Sequence, residues 1–503
     1  MFEVVTGSRR PLCNGTSRRD FLRAGLFALP GLGGMGRGAR ASDPTAAGPA
    51  VRDKSVVFLF LAGGPSQYET FDPKPGGPDG FTSIKGHIPT SLPGVRFASY
   101  LPKLAGLADR LTVVRSFQTK HSEHDGAHKQ MMTADLTVQD GRPVTAPGLG
   151  ALYARAAGAA NPATGLPRHA LVPPTTRNAK GRAGFNGSYE GVVAGCQPAL
   201  LGTAFSPFEV AAPASEGFVE QKKRGGQKAT EPAAPDPLGV FVPGVPLPQL
   251  DARLDLLKQL DTLDRRADAA GAMGRLDTFT ARAADLLRTG TVRNALDLSL
   301  EAPATVRAYD TEHFPNWNCD DNSRFVRSGP SVGFSLGRQL LMARRLCEAG
   351  AGFVTVVCAN WDFHARKGIP NTPEGMGVFG PPLDHAVSAF LEDVRARGLE
   401  DKILLVVTGE FGRSGLDKNL GRHHHPKSCP LVLAGGGLRH GQVVGQTDRR
   451  GSEPAADPIR IADLHATVLH TLLDVGRLRG DAAAPAAVLD RATNGTPIRE
   501  LFS

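Results

Sequence analysis

Residues that can bind metal ions or anions follow four short apolar runs of this sequence. The runs cover residues 56–61, 111–114, 353–357 and 403–407. Imidazole and carboxylate groups are common ligands of zinc, and carboxylates also bind harder ions. The candidate metal ligands near these runs, or in a later run of histidines, are Asp362, His364, Glu410, His423 and His424. The pattern predicts a divalent-metal site.

Half of the histidines fall into three clusters. The clusters are His121, His124 and His128, then His364, then residues 423–425. Asp362 and His364 are two residues apart, so an extended loop would let both reach one ion. Alternatively, Asp362 caps a turn and His364 packs on Trp361. Three consecutive histidines cannot all face one point, so we expect at most two ligands among them, or else an exposed loop.

Glu410 and Arg413 follow the fourth apolar run, in a segment that also contains two glycines. Such a pair suits a bound ion, or an oxyanion held by a bidentate guanidinium. The alternative is an ion pair between the two side chains that braces the turn. The glycine-rich loop 63–66 either binds an anion through its backbone N–H groups or forms a tight turn.

The four apolar runs are typical of strands that are buried on both faces of a parallel sheet. Ligands of such sheets lie beyond the carboxyl ends of the strands, so we expect the four distant segments to meet in one place. Helical spacing is expected over residues 100–109, from 124 onward, and over 334–346, 383–397 and 461–473, with a further strand at 430–434. Alternating strands and helices predict an α/β fold with right-handed parallel crossovers.

The first 41 residues have the features of a twin-arginine export signal. Residues 17–22 contain the arginine pair, a weakly apolar stretch follows at 24–32, and small residues at 39–41 form a cleavage site. We therefore expect export to the periplasm or cell envelope, the alternative being an ordinary amphipathic helix. The predicted organisation is a signal peptide at 1–41, a linker at 42–54 and one domain at 55–503, with a low-complexity insertion at 211–248 and a helical segment at 250–300.

Composition argues against several other classes of protein. Of the net charge of +9, residues 1–41 contribute +5, from seven arginines and two acidic residues, so the remainder carries +4. No basic stripe with interleaved aromatic residues indicates a nucleic-acid partner, and no later stretch reaches the roughly 18 apolar residues of a transmembrane segment. The five cysteines after residue 41 lack a C-x-x-C spacing, which argues against a zinc ribbon but leaves room for one or two disulfides.

Taken together, these motifs resemble the domain-of-unknown-function 1501 family of exported bacterial proteins, which are relatives of sulfatases and alkaline phosphatase. The resemblance spans roughly residues 55–500 and is carried by segments 63–66, 71–75, 121–125, 361–364, 409–413, 423–426 and 463–467. It implies an alkaline phosphatase-like fold, which is a three-layer α/β/α sandwich around a mostly parallel sheet.

The resemblance also implies a chemistry. His124 or Asp125 lies where related sulfatases carry their nucleophile, and Glu410 takes the place of a metal-binding aspartate, whereas Phe411 replaces a histidine ligand. The leading hypothesis is a metal-dependent hydrolase of phosphate or sulfate esters, including sulfated glycans, with zinc, calcium or magnesium as the metal. In this hypothesis His124 is a general acid or base or a nucleophile, and Arg413 holds the oxyanion.

The competing hypothesis is a non-catalytic exported scaffold that binds a glycan or a partner protein. It follows from the absence of serine, threonine or cysteine at positions 124 and 125. Fold alone never determines function.

Overall fold

The computed structural model describes residues 50–174, 188–210, 290–314, 335–366 and 369–502. The predicted signal peptide, the insertion at 211–248 and most of the predicted helical segment at 250–300 lie outside these ranges. So does most of the predicted linker.

Short runs of branched and aromatic apolar residues form most strands of the central sheet. The strands are β1 Ser55–Leu61, β2 His87–Pro89, β3 Arg96–Ala98, β4 Thr112–Val114, β5 His169–Val172, β6 Phe208–Glu209, β7 Phe353–Cys358, β8 Ile403–Thr408, β9 Gly412–Leu416, β10 Arg422–His425, β11 Leu431–Gly435 and β12 Gln442–Val444. Eight of them make one sheet with the order β12-β4-β11-β8-β1-β7-β5-β6, while β2 with β3 and β9 with β10 form two-stranded sheets.

The centre of the large sheet is parallel. β1 lies between β7 and β8, and Val57 is opposite Val354 on one side and Leu405 on the other. Every residue of β7 and β8 is buried, which explains why these runs are continuously apolar rather than alternating. The four runs singled out in the sequence become β1, β4, β7 and β8, and all four point in the same direction.

The strand expected at 430–434 is present as β11, but it is the antiparallel member of the sheet. The preceding hairpin, β9 with β10, lies after the carboxyl end of β8. The chain therefore enters β11 from that edge and must run back across the sheet. A strand pattern in sequence contains no information about this direction.

Helices cover both faces of the sheet. They are α1 Pro102–Gly106, α2 His124–Thr133, α3 Leu149–Ala157, α4 Ser188–Gly195, α5 Thr291–Leu296, α6 Pro303–Ala308, α7 Leu336–Glu348, α8 Thr372–Ala396, α9 Ile461–Leu472, α10 Val475–Gly480 and α11 Ala486–Thr493. α7 packs on β1 and β7 and against α8, whereas α3, α9 and α11 pack together, with α9 on β1 and α3 on β7. The predicted three-layer α/β/α sandwich is confirmed.

The long helix α8 begins eleven residues before the predicted start at residue 383. Its first residues are fixed by a capping box, in which Asn371 accepts from the backbone of Glu374 and the Glu374 side chain accepts from the backbone of Asn371. Pro381 and Pro382 lie inside the helix, where proline usually ends one. The helix nevertheless continues across them, and it packs against α7.

The structure also bears on the cysteines and on the expected lack of a transmembrane segment. Cys196, Cys347, Cys358 and Cys429 are buried free thiols, so the disulfides considered above do not form among the described cysteines. Within the described ranges, no helix has both the length and the apolar character of a transmembrane segment.

An ion network around Glu301 links α7 to the C-terminal end of α8. Glu301 is contacted by three arginines, with Arg344 and Arg397 nitrogens each 2.9 Å from its Oε2 and Arg345 on its Oε1. Burial alone would raise the pKa of Glu301, but the hydrogen bonds from Arg344 and Arg345 and the charge of Arg397 outweigh it and lower the pKa to about 2. The Glu301 charge therefore stabilises the folded state.

Replacing Glu301 by Gln is expected to lower the free energy of unfolding at pH 7 by about 2 kcal/mol, because three arginines lose a charged partner. The pKa of Glu301 is lower in the folded than in the unfolded state, so its contribution is complete above pH 4.5 and disappears as the pH falls toward 2. Urea denaturation at several pH values measures how the free energy of unfolding of the wild type and of the variant changes with pH. The control Glu392→Gln removes an exposed partner of Arg110 and should change little; equal losses in both variants would contradict the prediction.

Candidate metal centre

Three neighbouring parallel strands end at one edge of the sheet, and each is followed by residues of the site. Gly63 follows β1, Asp362 follows β7 and Glu410 follows β8. α2, which follows β4, begins at His124, and β10 contributes His424. Segments that are far apart in the sequence thus bring their side chains to the carboxyl edge.

The first set of ligand atoms surrounds Glu410, which is fully buried. Its Oε1 accepts a hydrogen bond from the Gly63 N–H at 2.8 Å and lies 2.7 Å from His124 Nδ1 and 3.0 Å from His128 Nε2. Glu410, His124 and His128 each offer one ligand atom, and these atoms lie within 4.8 Å of one another. We call these three residues the Glu410 group.

The second set surrounds Asp362. Asp362 Oδ1 lies 3.3 Å from His424 Nε2, and Oδ2 lies 3.6 Å from His124 Nε2. Asp362, His124 and His424 again offer atoms within 4.8 Å of one another, and we call them the Asp362 group. His364 adjoins this group, with Nε2 2.8 Å from Asp362 Oδ2.

His124 belongs to both groups, because its Nδ1 faces Glu410 and its Nε2 faces Asp362. Burial by itself lowers the pKa of His124, but hydrogen bonds and attraction from the two carboxylates outweigh burial and raise the pKa to about 9. The same interactions act on the acids. Burial by itself raises the pKa of both acids. Arg413 and the neighbouring histidines nevertheless hold the pKa of Asp362 well below its usual range. His128 and His124 do the same for the pKa of Glu410.

Neighbouring groups orient the imidazoles. His424 Nδ1 lies 2.6 Å from the carbonyl oxygen of Ser122, to which it can donate, and this leaves the Nε2 lone pair directed at Asp362. Metal-binding histidines commonly donate their second nitrogen to a carbonyl in this way. The buried ring of Phe411 packs against both His424 and His124, with centroids 4.5 and 5.1 Å away. Phe411 thus packs beside the imidazoles of His424 and His124, at a position where the resemblance to sulfatases would place a further histidine ligand.

Arg413 is buried and directs its guanidinium at protein groups. Nε donates to the Gly64 carbonyl at 2.7 Å, and Nη1 to the Arg422 carbonyl at 2.9 Å. Nη2 donates to Asp362 Oδ1 at 2.6 Å and to the Gly63 carbonyl. The expected role in holding an oxyanion does not fit this placement, since these bonds use the guanidinium within the protein. The alternative Glu410–Arg413 ion pair is replaced by one between Arg413 and Asp362.

Two other predicted site residues lie outside both groups. Asp125 accepts from Lys129 Nζ at 2.5 Å and from the Gly141 N–H at 2.8 Å, so its carboxylate is engaged on the outer side of α2. His423 has a half-exposed side chain that lies 3.2 Å from Asp417. The register of β10 against β9 shifts between Arg422 and His424, and in this irregular stretch His423 faces Asp417 while His424 faces Asp362.

His128 was not among the predicted ligands, although its spacing contained a signal. His124 and His128 are four residues apart on α2, which places both imidazoles on one face of the helix. Their rings stack with centroids 5.8 Å apart. Recognising His128 as a candidate ligand required knowing that this face of α2 meets the end of β8.

The pattern of unsatisfied polar atoms fits a cation. Buried atoms without a hydrogen-bond partner include Glu410 Oε2, His124 Nε2, His364 Nδ1 and both ring nitrogens of His128. Such atoms are rare in folded proteins unless a water or ion completes them. With four imidazoles and two carboxylates, the set suits zinc better than calcium or magnesium, which prefer oxygen ligands.

Gly63 is a position where the site requires glycine. Its φ is +119°, and an added Cβ would lie 2.5 Å from Trp361 N and 2.8 Å from Asp362 N. Gly63→Ala should lower the free energy of unfolding by about 2–4 kcal/mol, from backbone strain plus displacement of the loop that carries Asp362. Urea denaturation measures the loss.

The matched control is Gly94→Ala, where φ is +78° but the Cβ would meet no atom within 4 Å. It carries the backbone strain without the collision, so it should cost about 1 kcal/mol. Equal losses at Gly63 and Gly94 would show that contact with the Asp362 loop is unimportant.

Solved structures that are similar to this chain include three enzymes of ester hydrolysis. A phosphonate monoester hydrolase from Silicibacter pomeroyi is 12% identical with a TM-score of 0.33, the match covering 89% of this chain and 76% of that one. The sulfatase PsFucS1 from Pseudoalteromonas sp. is 11% identical with a TM-score of 0.33, covering 84% and 68%. A mutant of TAB5 alkaline phosphatase with bound magnesium is 10% identical with a TM-score of 0.31, covering 78% and 95%. These likenesses are too weak to transfer an activity.

Among curated proteins no relative matches this chain. The family model described as protein of unknown function, DUF1501, matches residues 53–500, which is most of the chain and includes every residue of both ligand groups. The chain is therefore a member of the DUF1501 family.

Proposed function

We propose that this protein is a metal-dependent hydrolase of phosphate or sulfate esters that acts in the cell envelope. The observation that carries the proposal is the meeting of Glu410, Asp362 and the imidazoles of α2 and β10 at the carboxyl edge of the sheet, with buried ligand atoms left unsatisfied. Among buried polar clusters, this combination is typical of a metal site.

The residues that would hold the cation are Glu410, His124 and His128 on one side and Asp362, His424 and His364 on the other. When bound, a divalent cation supplies Lewis acidity, which polarises an ester oxygen and stabilises charge in the transition state. The carboxylates are ionised at neutral pH because their pKa values are low, so both can bind a cation without first losing a proton.

His124 is placed to handle a proton as well. Because its pKa is raised to about 9, His124 carries a proton on both nitrogens at neutral pH. On binding a cation through Nδ1, on the Glu410 side, His124 would lose the proton there and keep the one on Nε2, which faces the Asp362 group. A proton at that atom can be donated to the leaving-group oxygen of an ester. Asp125 and Arg413 have other roles in this proposal, because Asp125 pairs with Lys129 and Arg413 positions Asp362.

A non-catalytic scaffold that binds a glycan or a partner protein is the second candidate. The feature that favours it is the imidazole of His124 at the first position of α2, where the resemblance to sulfatases places a nucleophile. Hydrolysis would then depend on water as the nucleophile. The two candidates differ in turnover and agree on metal binding.

Purified full-length protein should contain zinc by elemental analysis and should hydrolyse an aryl phosphate or an aryl sulfate. His424→Gln should lower the rate at least 10–100-fold, the loss known for disturbing even an outer-shell partner of a metal ligand. His423→Gln is the matched control, because it changes the neighbouring histidine of the same strand and should leave the rate unchanged. A folded, metal-bearing protein inert toward both esters would favour the scaffold, and a folded, metal-free protein would contradict both.

The location can be tested separately. A reporter fused after residue 41 should reach the periplasm of a bacterium with a working twin-arginine route, and Arg18→Lys with Arg19→Lys should retain the reporter in the cytoplasm. The control Arg9→Lys with Arg10→Lys changes an arginine pair outside the export pattern, and this variant should still export the reporter. Export that is insensitive to both substitutions would contradict the proposed route.

A further inference from the structure

We infer that the two ligand groups are unequal, with the Glu410 group binding one divalent cation tightly and the Asp362 group binding a second cation more weakly. The inference deepens the proposed function, and it rests on that function only in taking the cluster as a metal site. It follows from how the charge of each carboxylate is balanced within the protein.

Glu410 has no arginine or lysine against its carboxylate among its described contacts. Its neighbours are the Gly63 N–H and the imidazoles of His124 and His128, while Oε2 has no partner. A fully buried carboxylate in such surroundings carries a large desolvation cost that a cation would offset.

His128 provides the second, independent sign of an ion. Its Nε2 lies 3.0 Å from Glu410 Oε1 yet is not aligned for a hydrogen bond, and both of its nitrogens are buried without partners. The side chain itself is fully buried. A cation bound between His128 Nε2 and Glu410 would give both side chains a partner at once.

Asp362 is in a different electrostatic state. The guanidinium of Arg413 lies 2.6 Å from its Oδ1, and the aspartate also contacts three histidines. Most of its charge is therefore balanced by a permanent cation of the protein. A divalent ion in the Asp362 group would lie close to this guanidinium, and Coulomb repulsion between them would lower its affinity.

The sharing of His124 adds to the inequality. A neutral imidazole has one lone pair, so His124 completes only one of the two groups at a time. If His124 binds the cation of the Glu410 group through Nδ1, the ligands that remain for the second cation are Asp362, His424 and the adjacent His364. The second cation thus keeps only Asp362 and His424 of its own group, with His364 adjoining them, and it lies beside a fixed positive charge.

Zinc titration of chelator-treated full-length protein tests the inference, with free zinc followed by a competing chromophoric chelator. The wild type should bind one equivalent tightly and a second at least 10-fold more weakly. His128→Gln should lose the tight equivalent, whereas His424→Gln should keep it and lose the weak one. His423→Gln should match the wild type. Circular dichroism shows that each variant is folded, and Glu410→Gln provides a second test of the tight group if His128→Gln does not fold.

The opposite pattern, with the tight equivalent lost in His424→Gln and kept in His128→Gln, would overturn the inference. Two equivalents of equal affinity, or no zinc bound by folded wild-type protein, would also overturn it. Failure of the proposed function looks different, because zinc would bind as described while neither aryl ester is hydrolysed.

Discussion

The guanidinium of Arg413 is the interaction on which the arrangement of this site depends. It reaches from β9 to carbonyls of the loop after β1, to the loop after β7 through Asp362, and to the carbonyl of Arg422 at the start of β10. Few side chains other than arginine have enough donors, in a planar array, to join this many acceptors. Because the pair with Asp362 is buried, losing either partner would leave an uncompensated charge, which typically costs 3–5 kcal/mol.

This linkage explains how a buried cluster of charges persists beside an apolar sheet. Asp362 is neutralised by Arg413, and the buried Glu69 is neutralised in a similar way by Arg422, whose Nη2 lies 2.9 Å from Glu69 Oε1. Glu410 lacks such a partner in its described surroundings and is left with imidazoles. Of these three buried carboxylates, Asp362 and Glu69 are balanced by arginine. Glu410 is not, and its surroundings therefore call for an ion.

The segment 463–467, one of the motifs behind the family resemblance, supports the site from a distance. His465 on α9 is buried, with Nε2 2.8 Å from the carbonyl of Met131 and Nδ1 3.2 Å from Arg491 Nη1. Since Arg491 can only donate, His465 carries its proton on Nε2 and donates it to the last turn of α2. The helix that carries His124 and His128 is therefore fixed at its far end by the C-terminal helices.

Much of the architecture could be predicted because parallel strands buried on both faces leave a continuous apolar signature. That signature located β1, β4, β7 and β8, and with them the edge at which Asp362, His364 and Glu410 lie. Helix α8 could be predicted only in part, since the helical spacing was recognised over 383–397 while the helix begins at Thr372, before Pro381 and Pro382.

The sequence by itself determined which groups would stand at the strand ends, because residue type and hydrophobic periodicity are local properties. Only the tertiary structure decided their partners: that Arg413 binds Asp362 rather than Glu410, that His424 faces inward while His423 faces solvent, and that His128 joins Glu410. Each of these outcomes depends on the relative placement of segments that are well separated in the sequence, by 51 residues for Arg413 and Asp362 and by 62 for His424 and Asp362. Charge balance in a buried site is set by which loops come within a few ångströms of each other, and no local pattern encodes that distance.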